Sequence, residues 1–218
     1  MKFRRKSTAD EGDDLAQLDE ESAETEETVE EPPTGPFDVD DLPEDDVKRV
    51  DLGSLLIEPK PGHDLRLQVD EASGNVSSVV LASKDGAIEI RAFAAPRNGD
   101  LWSEVRPQIA ADMAQKGGTA TEREGRFGPE LLCNMQVQRK EGGGTTTQPS
   151  RIVGINGPRW LLRATFFGRP AAEPDKAGEW EDAITRIAVR RGDHAMRVGE
   201  PLKVTMPEQA RRAAPPTP

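Results

Sequence analysis

The sequence predicts an α+β domain built on an antiparallel sheet, and three observations lead to this prediction. Short runs with the two-residue alternation of strands are separated by turn residues, and only two longer segments have the spacing of an amphipathic helix. The order is strands, helix, strands, helix, with hairpins between most neighbouring strands. Residues 152–167 carry the third observation, because two β-prone runs flank an Asn-Gly-Pro turn, which is a strong hairpin signal.

Charge divides the chain into a tail and a domain. Residues 1–51 hold 19 acidic and 6 basic residues, a net charge of −13, whereas the remainder carries a net charge of +2. Most side chains over 9–31 are acidic or small and polar, so burial of apolar surface cannot offset the entropy of ordering them. We therefore predict a disordered acidic tail over 1–50, a single α+β domain over 51–206 and a disordered C-terminal tail over 207–218.

Three apolar residues interrupt the acidic tail. Phe37, Val39 and Leu42 are spaced among aspartates and glutamates. Two interpretations stay open: a solvated linker, or an acidic-hydrophobic docking motif that becomes ordered on a partner.

The first half of the domain predicts strands followed by a helix. Order begins near residue 50, and a meander follows over 65–69, 76–83 and 87–94. Asp100 can cap a helix that runs to about Lys116, although Pro107 predicts either a kink or a start nearer Arg106. The buried stripe of this helix, at helical spacing, consists of Trp102, Val105, Ile109 and Met113.

The second half predicts a strand over 126–139, a loop over 141–147, the hairpin over 152–167 and a second helix over about 176–190. Gly192 is the expected C-cap of that helix. The return strand of the hairpin has large apolar residues at both odd and even positions, so we expect it to be central in the sheet, with part of each face covered. Helices on both sides of the sheet are favoured, and one layer of helices stays open.

A set of polar residues predicts a candidate groove. Arg159 and Arg163 belong to the hairpin, and Asn134, Gln136 and Gln138 belong to the strand before it. If they share a face, they could bind an anion or a peptide. The alternative is a solvated sheet face.

Several chemistries find no support in the sequence. The glycine run after Lys140 lacks the Gly-Lys-Ser/Thr end of a phosphate loop. His63 beside Asp64 could bind a metal or act as a base, but a turn that contains this pair is usually just a turn. Cys133 lies on an apolar strand face and is expected to be an inert core thiol. We predict no cofactor, no metal site and no catalytic residue.

Composition also restricts the location and the partners. No apolar run is long enough for a signal peptide or a membrane span, and a single cysteine suits a reducing compartment, so a cytoplasmic protein is predicted. The nearly neutral domain lacks the basic stripe of a nucleic-acid-binding protein.

Three stretches resemble an actinobacterial family known as domain of unknown function 3710. They are RVDLGSLLIEP over 49–59, IVGINGPRWLLRATFFG over 152–168, and VRRGD followed by a GEPL tail over 189–202. The resemblance covers roughly 47–202 and implies a cytoplasmic protein with no established activity, cofactor or catalytic residue. The order of elements is also similar to the αβ sandwich of PsbP-like and Mog1-like proteins, a class used mainly for binding.

The sequence as a whole favours a non-enzymatic module that binds an unidentified protein partner, with the acidic tail tuning that binding. The alternative is a domain that binds a small anion or a nucleotide, with weak enzymatic activity. The oligomeric state is left open.

Overall fold

The computed structural model describes residues 34–138 and 144–207. Most of the predicted N-terminal tail, nearly all of the predicted C-terminal tail and part of the predicted 141–147 loop therefore lie outside the described residues. In chain order the strands are β1 Phe37–Asp38, β2 Val50–Asp51, β3 Leu55–Ile57, β4 Asp64–Val69, β5 Val76–Ala82, β6 Gly86–Ala94, β7 Thr119–Gly125, β8 Gly128–Gln138, β9 Thr145–Asn156, β10 Trp160–Gly168 and β11 Ala188–Val189. The α-helices are α1 Leu101–Gln115, α2 Arg169–Ala172 and α3 Gly178–Thr185.

The main sheet has seven strands in the order β4-β5-β6-β10-β9-β8-β7, and every neighbouring pair is antiparallel. The predicted hairpin forms the β9–β10 pair, in which Leu161 lies opposite Asn156. Its return strand, β10, is the middle strand of the seven, as its two apolar faces predicted. The predicted α+β class with a mostly antiparallel sheet is confirmed.

The predicted first helix is α1, and it begins where its cap predicted. The Asp100 side chain accepts a hydrogen bond from the Ser103 backbone N–H at 3.0 Å, which satisfies one of the free donors of the first turn. Pro107 lies inside the helix, so the alternative start near Arg106 is wrong. Leu101 and Trp102 are buried against Leu131 and Ile152, and the remaining stripe residues are half-buried around them.

The opposite face of the main sheet carries the larger core. Phe166, Leu162 and Ile90 point to this side and pack with Trp180 and Ile184 of α3. A second, small sheet in the order β1-β11-β3-β2 adds Leu55 and Ile57 to the same core. The predicted placement of helical structure on both faces is therefore observed.

Three boundaries differ from the sequence prediction. Strand pairing begins at Phe37 rather than after residue 50, because β1 pairs with β11 and the Phe37 N–H donates to Ile187 O at 2.9 Å. The second helix ends at Thr185 instead of about 190, because Ala188 and Val189 pair with β3 in the small sheet. Gly192 is therefore not the C-cap of this helix. Strand β7, which is rich in exposed charged residues, was not predicted, and β9 begins at Thr145, inside the predicted loop.

Candidate functional site

The α1 helix covers only half of its face of the main sheet. It packs against β7, β8 and β9. Along β6, and along β10 from Arg163 onward, residues on this face are half-buried, whereas their neighbours on the opposite face are fully buried. The half of the face formed by β6 and the end of β10 is therefore only partly shielded from solvent. We name its central residues the arginine face: Glu89, Arg91, Phe93, Arg163 and Thr165.

Two arginines lie side by side on the arginine face. Arg163 of β10 is the direct cross-strand partner of Arg91 of β6. Side chains in such positions have Cβ atoms about 5 Å apart, and like charges placed there are destabilising. Arg91 has a partner of its own, because its Nε lies 2.6 Å from Glu89 Oε1. Arg163 is therefore the cation whose charge the neighbouring strand does not balance.

Arg163 is held by stacking rather than by ion pairing. Its Cζ lies 4.9 Å from the centre of the Phe93 ring. Over the parts of the chain that the structure describes, its guanidinium makes no hydrogen bond and no ion pair. Burial lowers the pKa of the Arg163 guanidinium, Arg91 lowers it further, and Glu89 acts in the opposite direction. The charge of a bound anion would offset both the cost of burial and the repulsion from Arg91.

Strand β9 determines where the part of the sheet face that α1 covers comes to an end. Gly154 of β9 lies directly opposite Arg163 on the other side. A Cβ on Gly154 would run into the Trp102 indole, so glycine is required for α1 to approach this strand. The Trp102 Nε1–H donates to Pro129 O at 2.6 Å, which anchors the ring. The N-terminal turn of α1 thus borders the arginine face.

The structure does not bring the predicted groove residues together. Arg163 shares a face with Cys133, because strand partners and alternate residues point the same way, and Asn134, Gln136 and Gln138 point to the opposite face. Arg159 lies in the turn before β10, where its Nη2 donates to Gly192 O at 3.3 Å. Arg163 thus keeps its place in a candidate site, and the shared groove is a correction.

The three predicted amide residues occupy a separate feature. The last β7 partner of β8 is Asn134, and the last β10 partner of β9 is Ser150. Beyond these positions residues 135–138 pair, among the described residues, only with residues 145–148, and Asn134, opposite Pro149, lies where this extension begins. We call this two-stranded extension the β8–β9 ribbon. Gln136 donates from Nε2 to Thr147 Oγ1 across it at 2.8 Å.

The predicted docking motif packs on its own domain. Phe37 is in β1, and the Trp160 Nε1–H donates to Asp38 Oδ2 at 2.8 Å. Val39 lies in a short 3-10 helix capped by Asp38, and Phe37, Val39 and Leu42 are all half-buried. Their assignment to a disordered tail is therefore corrected.

His63 lines a cleft of about 470 Å³ between the turn before β4, the β5–β6 turn and the start of α3. Its ring meets the Trp180 ring edge to face at 4.5 Å. Asp64 pairs instead with Arg66 at 2.8 Å, as expected if residues 61–64 are simply a turn rather than a His-Asp site. The cleft walls also carry two lysines and two acids: Lys60, Lys84, Asp85 and Glu179.

A second arginine, Arg151, forms a cluster with two carboxylates that is shielded from solvent. Arg151 of β9 is fully buried, and it donates to Glu130 Oε2 at 2.7 Å and to Glu181 Oε1 at 2.5 Å. It also stacks on Phe166, with Cζ 4.8 Å from the ring centre. Burial lowers the pKa of Arg151, but its hydrogen bonds to the two carboxylates outweigh this effect and raise the pKa overall. The cluster joins α3 to the sheet and offers no surface to a ligand.

Sequence reasoning missed Glu89, Arg91 and Phe93. The signal was present, since a strand was predicted over 87–94, and in such a strand these residues alternate with the apolar Ile88, Ile90 and Ala92. Cys133 is buried on its strand as predicted, and burial raises the pKa of its thiol. The two described segments contain no group of three or more His, Cys, Asp or Glu residues arranged to hold a metal ion. Nor does any of their helices combine the length and apolarity of a membrane span.

Comparison with known families identifies one match. The family described as Protein of unknown function (DUF3710) matches residues 35–213. The chain belongs to the DUF3710 family. The match begins two residues before β1, so the DUF3710 domain includes the segment that composition alone placed in the tail.

Other comparisons add little to the family assignment. A search of curated proteins gives no match. A crystal structure at 1.50 Å resolution of a Bacteroides thetaiotaomicron VPI-5482 protein is similar with a TM-score of 0.37 and 13% identity. That similarity covers 63% of this chain and 45% of the other chain, so this chain spans less than half of that protein.

Proposed function

We propose that the DUF3710 domain is a non-enzymatic binding module, and that the arginine face binds a carboxylate-bearing segment of a protein partner. The observation that supports this function is Arg163, a half-buried arginine near the middle of the central strand, opposite a second arginine and without an acceptor in the described parts of the chain. Burying part of a charged group costs free energy, and among the described residues only the Phe93 ring and the charge of Glu89 offset part of that cost. A bound carboxylate would supply the missing contact.

The surroundings of Arg163 favour recognition of a planar carboxylate. Contact with the Phe93 ring restricts the Arg163 guanidinium, and its N–H groups, which have no acceptor among the described residues, can form the paired hydrogen bonds of an Arg–carboxylate contact. The ion pair with Glu89 likewise fixes Arg91 beside it. Less side-chain entropy is then lost on binding, because both cations are already positioned.

The shape of the arginine face favours a segment of a protein over a small substrate. Its floor is the pleated surface of β6 and β10, and α1 borders it on one side. Small-molecule sites usually enclose most of their ligand, whereas an open sheet surface can contact an extended chain along its length. Binding is also a function that needs no water-excluded pocket.

The acidic tail would tune this binding through charge. Residues 1–33 carry 12 acidic and 4 basic residues. Their negative field opposes the approach of an acidic ligand, so a ligand must supply contacts at the arginine face as well as charge. The tail thereby raises selectivity, and its effect decreases as salt screens the field.

The test uses a fluorescently labelled hexaglutamate peptide as probe and measures anisotropy at low salt. We expect Arg163→Met to weaken binding at least tenfold, because Met keeps the apolar contact with Phe93 and removes the charge. The matched control is Arg169→Met, which removes an exposed arginine of α2. Removal of residues 1–33 should strengthen binding at low salt and make little difference at high salt. Equal weakening by both arginine variants, or none by Arg163→Met, would refute the assignment of the site.

The cleft beside His63 supports the second candidate function, binding of a small anion. Lys60 and Lys84 flank an aromatic wall made by Trp180, and the volume suits a small ligand. Asp85 and Glu179 in the same walls oppose an anion, which is why we rank this function second. A thermal-shift screen with phosphate and nucleotides distinguishes the two, since a ligand of the folded state raises the melting temperature.

A further inference from the structure

The arginines that lack an ion pair are grouped at one end of the main sheet. The two described segments contain fifteen arginines, and ten of them lie within 4.0 Å of a carboxylate. One of the remaining five is Arg163 of the arginine face. The other four lie in loops near the end of β6 and the start of β10: Arg97, Arg159, Arg191 and Arg197. Their grouping, rather than their number, indicates a common anionic ligand.

Backbone hydrogen bonds hold together the three loops that carry these arginines. The Ala95 N–H donates to Arg159 O at 2.9 Å, and the Gly199 N–H donates to Ala94 O at 2.8 Å. Residues 95–100, 157–159 and 190–200 therefore meet where β6 ends and β10 begins, and we call them the three-loop end. Arginines that are distant in the sequence are thus anchored in one region.

Arg159 and Arg191 are both fixed to one turn of the three-loop end. Arg159 donates from Nη2 to Gly192 O at 3.3 Å, and Arg191 donates from Nη1 to His194 O at 3.1 Å. Both side chains are half-buried, and Nε of Arg191 is packed out of contact with solvent. Since a guanidinium has several N–H donors, each arginine is positioned by one hydrogen bond and keeps other donors for a ligand.

The backbone of the same turn adds further donors. Gly192 has a φ of 70°, and the N–H groups of Gly192, Asp193 and His194 make no hydrogen bond within the described residues. Successive free N–H groups beside a residue of positive φ are a common element of anion-binding sites. The turn therefore offers backbone donors next to two arginine side chains.

We propose that the three-loop end binds the phosphate group of a small ligand, with Arg159, Arg191 and the free N–H groups of residues 192–194 as its contacts. A phosphate carries more charge than a carboxylate and points its oxygens in several directions, so it suits donors that come from two loops and a backbone turn. Arg97 and Arg197 are exposed and add long-range attraction. The turn itself is exposed, so the site holds the phosphate and leaves the rest of a ligand in solvent. This inference does not depend on the arginine face.

The carboxylates of the three-loop end oppose an anion to different degrees. Asp100 and Glu200 are occupied, because they accept from the backbone N–H groups of Ser103 and Arg197. Asp193 is exposed in the same turn as the proposed phosphate contacts. Its charge should weaken phosphate binding, and removing that charge provides a test in which the affinity increases.

Isothermal titration calorimetry of the full chain with pyrophosphate at low salt tests the proposal. Arg159→Gln and Arg191→Gln should each weaken binding about tenfold, because each loses charge-assisted hydrogen bonds. Asp193→Asn should strengthen binding about threefold, because a repulsive charge is removed. The matched control Arg169→Gln removes an exposed arginine of α2 and should bind like the wild type. ADP, measured in the same way, distinguishes two sources of the phosphate group: a nucleotide if it binds at least as tightly as pyrophosphate, a free phosphate if it binds more weakly.

Three outcomes would overturn the proposal: a wild type that does not bind pyrophosphate, Arg159 and Arg191 variants that bind it normally, or loss of binding in Lys84→Gln instead, which would place the phosphate in the cleft beside His63. If an arginine variant folds poorly by circular dichroism, Asp193→Asn provides the decision. A gain in affinity cannot result from misfolding, and an unchanged affinity equally overturns the proposal.

Discussion

Arg151 and Arg163 lie on neighbouring strands of one sheet and have opposite surroundings. Arg151 is fully buried on the α3 side and is paired with Glu130 and Glu181. Arg163 is half-buried on the α1 side, faces Arg91, and has no carboxylate partner within the described residues. Each stacks on a phenylalanine at nearly the same distance, 4.8 Å for Arg151 and 4.9 Å for Arg163.

The comparison separates a structural arginine from a binding arginine. Both guanidinium groups are partly or completely removed from water, but within the described residues only Arg151 is paired with carboxylates that offset this cost. Because both arginines pack on an aromatic ring in a similar way, the two residues differ in whether carboxylates are paired with them. Substitution of the two residues should therefore change the free energy of unfolding by different amounts, although the two side chains are chemically identical.

Substitution Arg151→Met should have the largest effect. It removes the buried cation between Glu130 and Glu181 and leaves Arg123, 2.9 Å from Glu130, and Arg126, 4.0 Å from Glu181, as their remaining cationic neighbours. Breaking a buried pair costs about 3–5 kcal/mol, and we expect a loss toward the lower end of this range. Urea denaturation of the wild type and the variant measures this loss. Adding Glu130→Gln to the variant removes one of the two buried carboxylate charges that have lost Arg151 and should recover part of the stability. A double variant no more stable than Arg151→Met would contradict the electrostatic explanation.

The sequence predicted the centre of the main sheet better than its borders. Residues 152–167 carry a turn signal and two apolar faces, so both the β9–β10 hairpin and its central position follow from local information. Strand β7 is charged and half-exposed, and it is a strand because β8 offers it an edge. Ala188 and Val189 continue the apolar pattern of α3, but pairing with β3 is worth more than another helical turn.

The candidate site was predicted only in part, for a related reason. Arg163 stands out because a charge in a central strand is unusual, and this is a local property. Its relation to Arg91 depends on which strand lies beside β10, and nothing in the sequence states that β6, rather than β8, is that neighbour. The predicted amides Asn134, Gln136 and Gln138 were therefore assigned to the wrong surface. Phe37 was assigned to the tail because its acidic neighbours hide its pairing with β11.

Substitution Asp100→Ala should have an intermediate effect, because Asp100 fixes the helix that forms one border of the arginine face. Its carboxylate accepts from the Ser103 N–H and from Asn156 Nδ2, and loss of an N-cap costs about 1 kcal/mol. The Ser103 N–H in particular holds the pKa of Asp100 below its ordinary value. The stabilisation is therefore complete above about pH 4, and it is lost as the pH falls through the lowered pKa. Stability measured between pH 7 and pH 2 should show a wild-type advantage that decreases over the acidic end; a constant advantage would contradict the role of the charge.

Substitution Arg163→Met should have the smallest effect on stability, within about 0.5 kcal/mol of the wild type. Met retains contact with Phe93, removes a partly desolvated charge and relieves the repulsion from Arg91, so the small change can be in the stabilising direction. The same urea experiment as for Arg151→Met measures it. A loss of several kcal/mol would show that Arg163 has a structural partner as Arg151 does, and it would remove the distinction on which the arginine face rests. A near-zero effect on stability together with loss of hexaglutamate binding is the combination that a residue retained for a ligand should show.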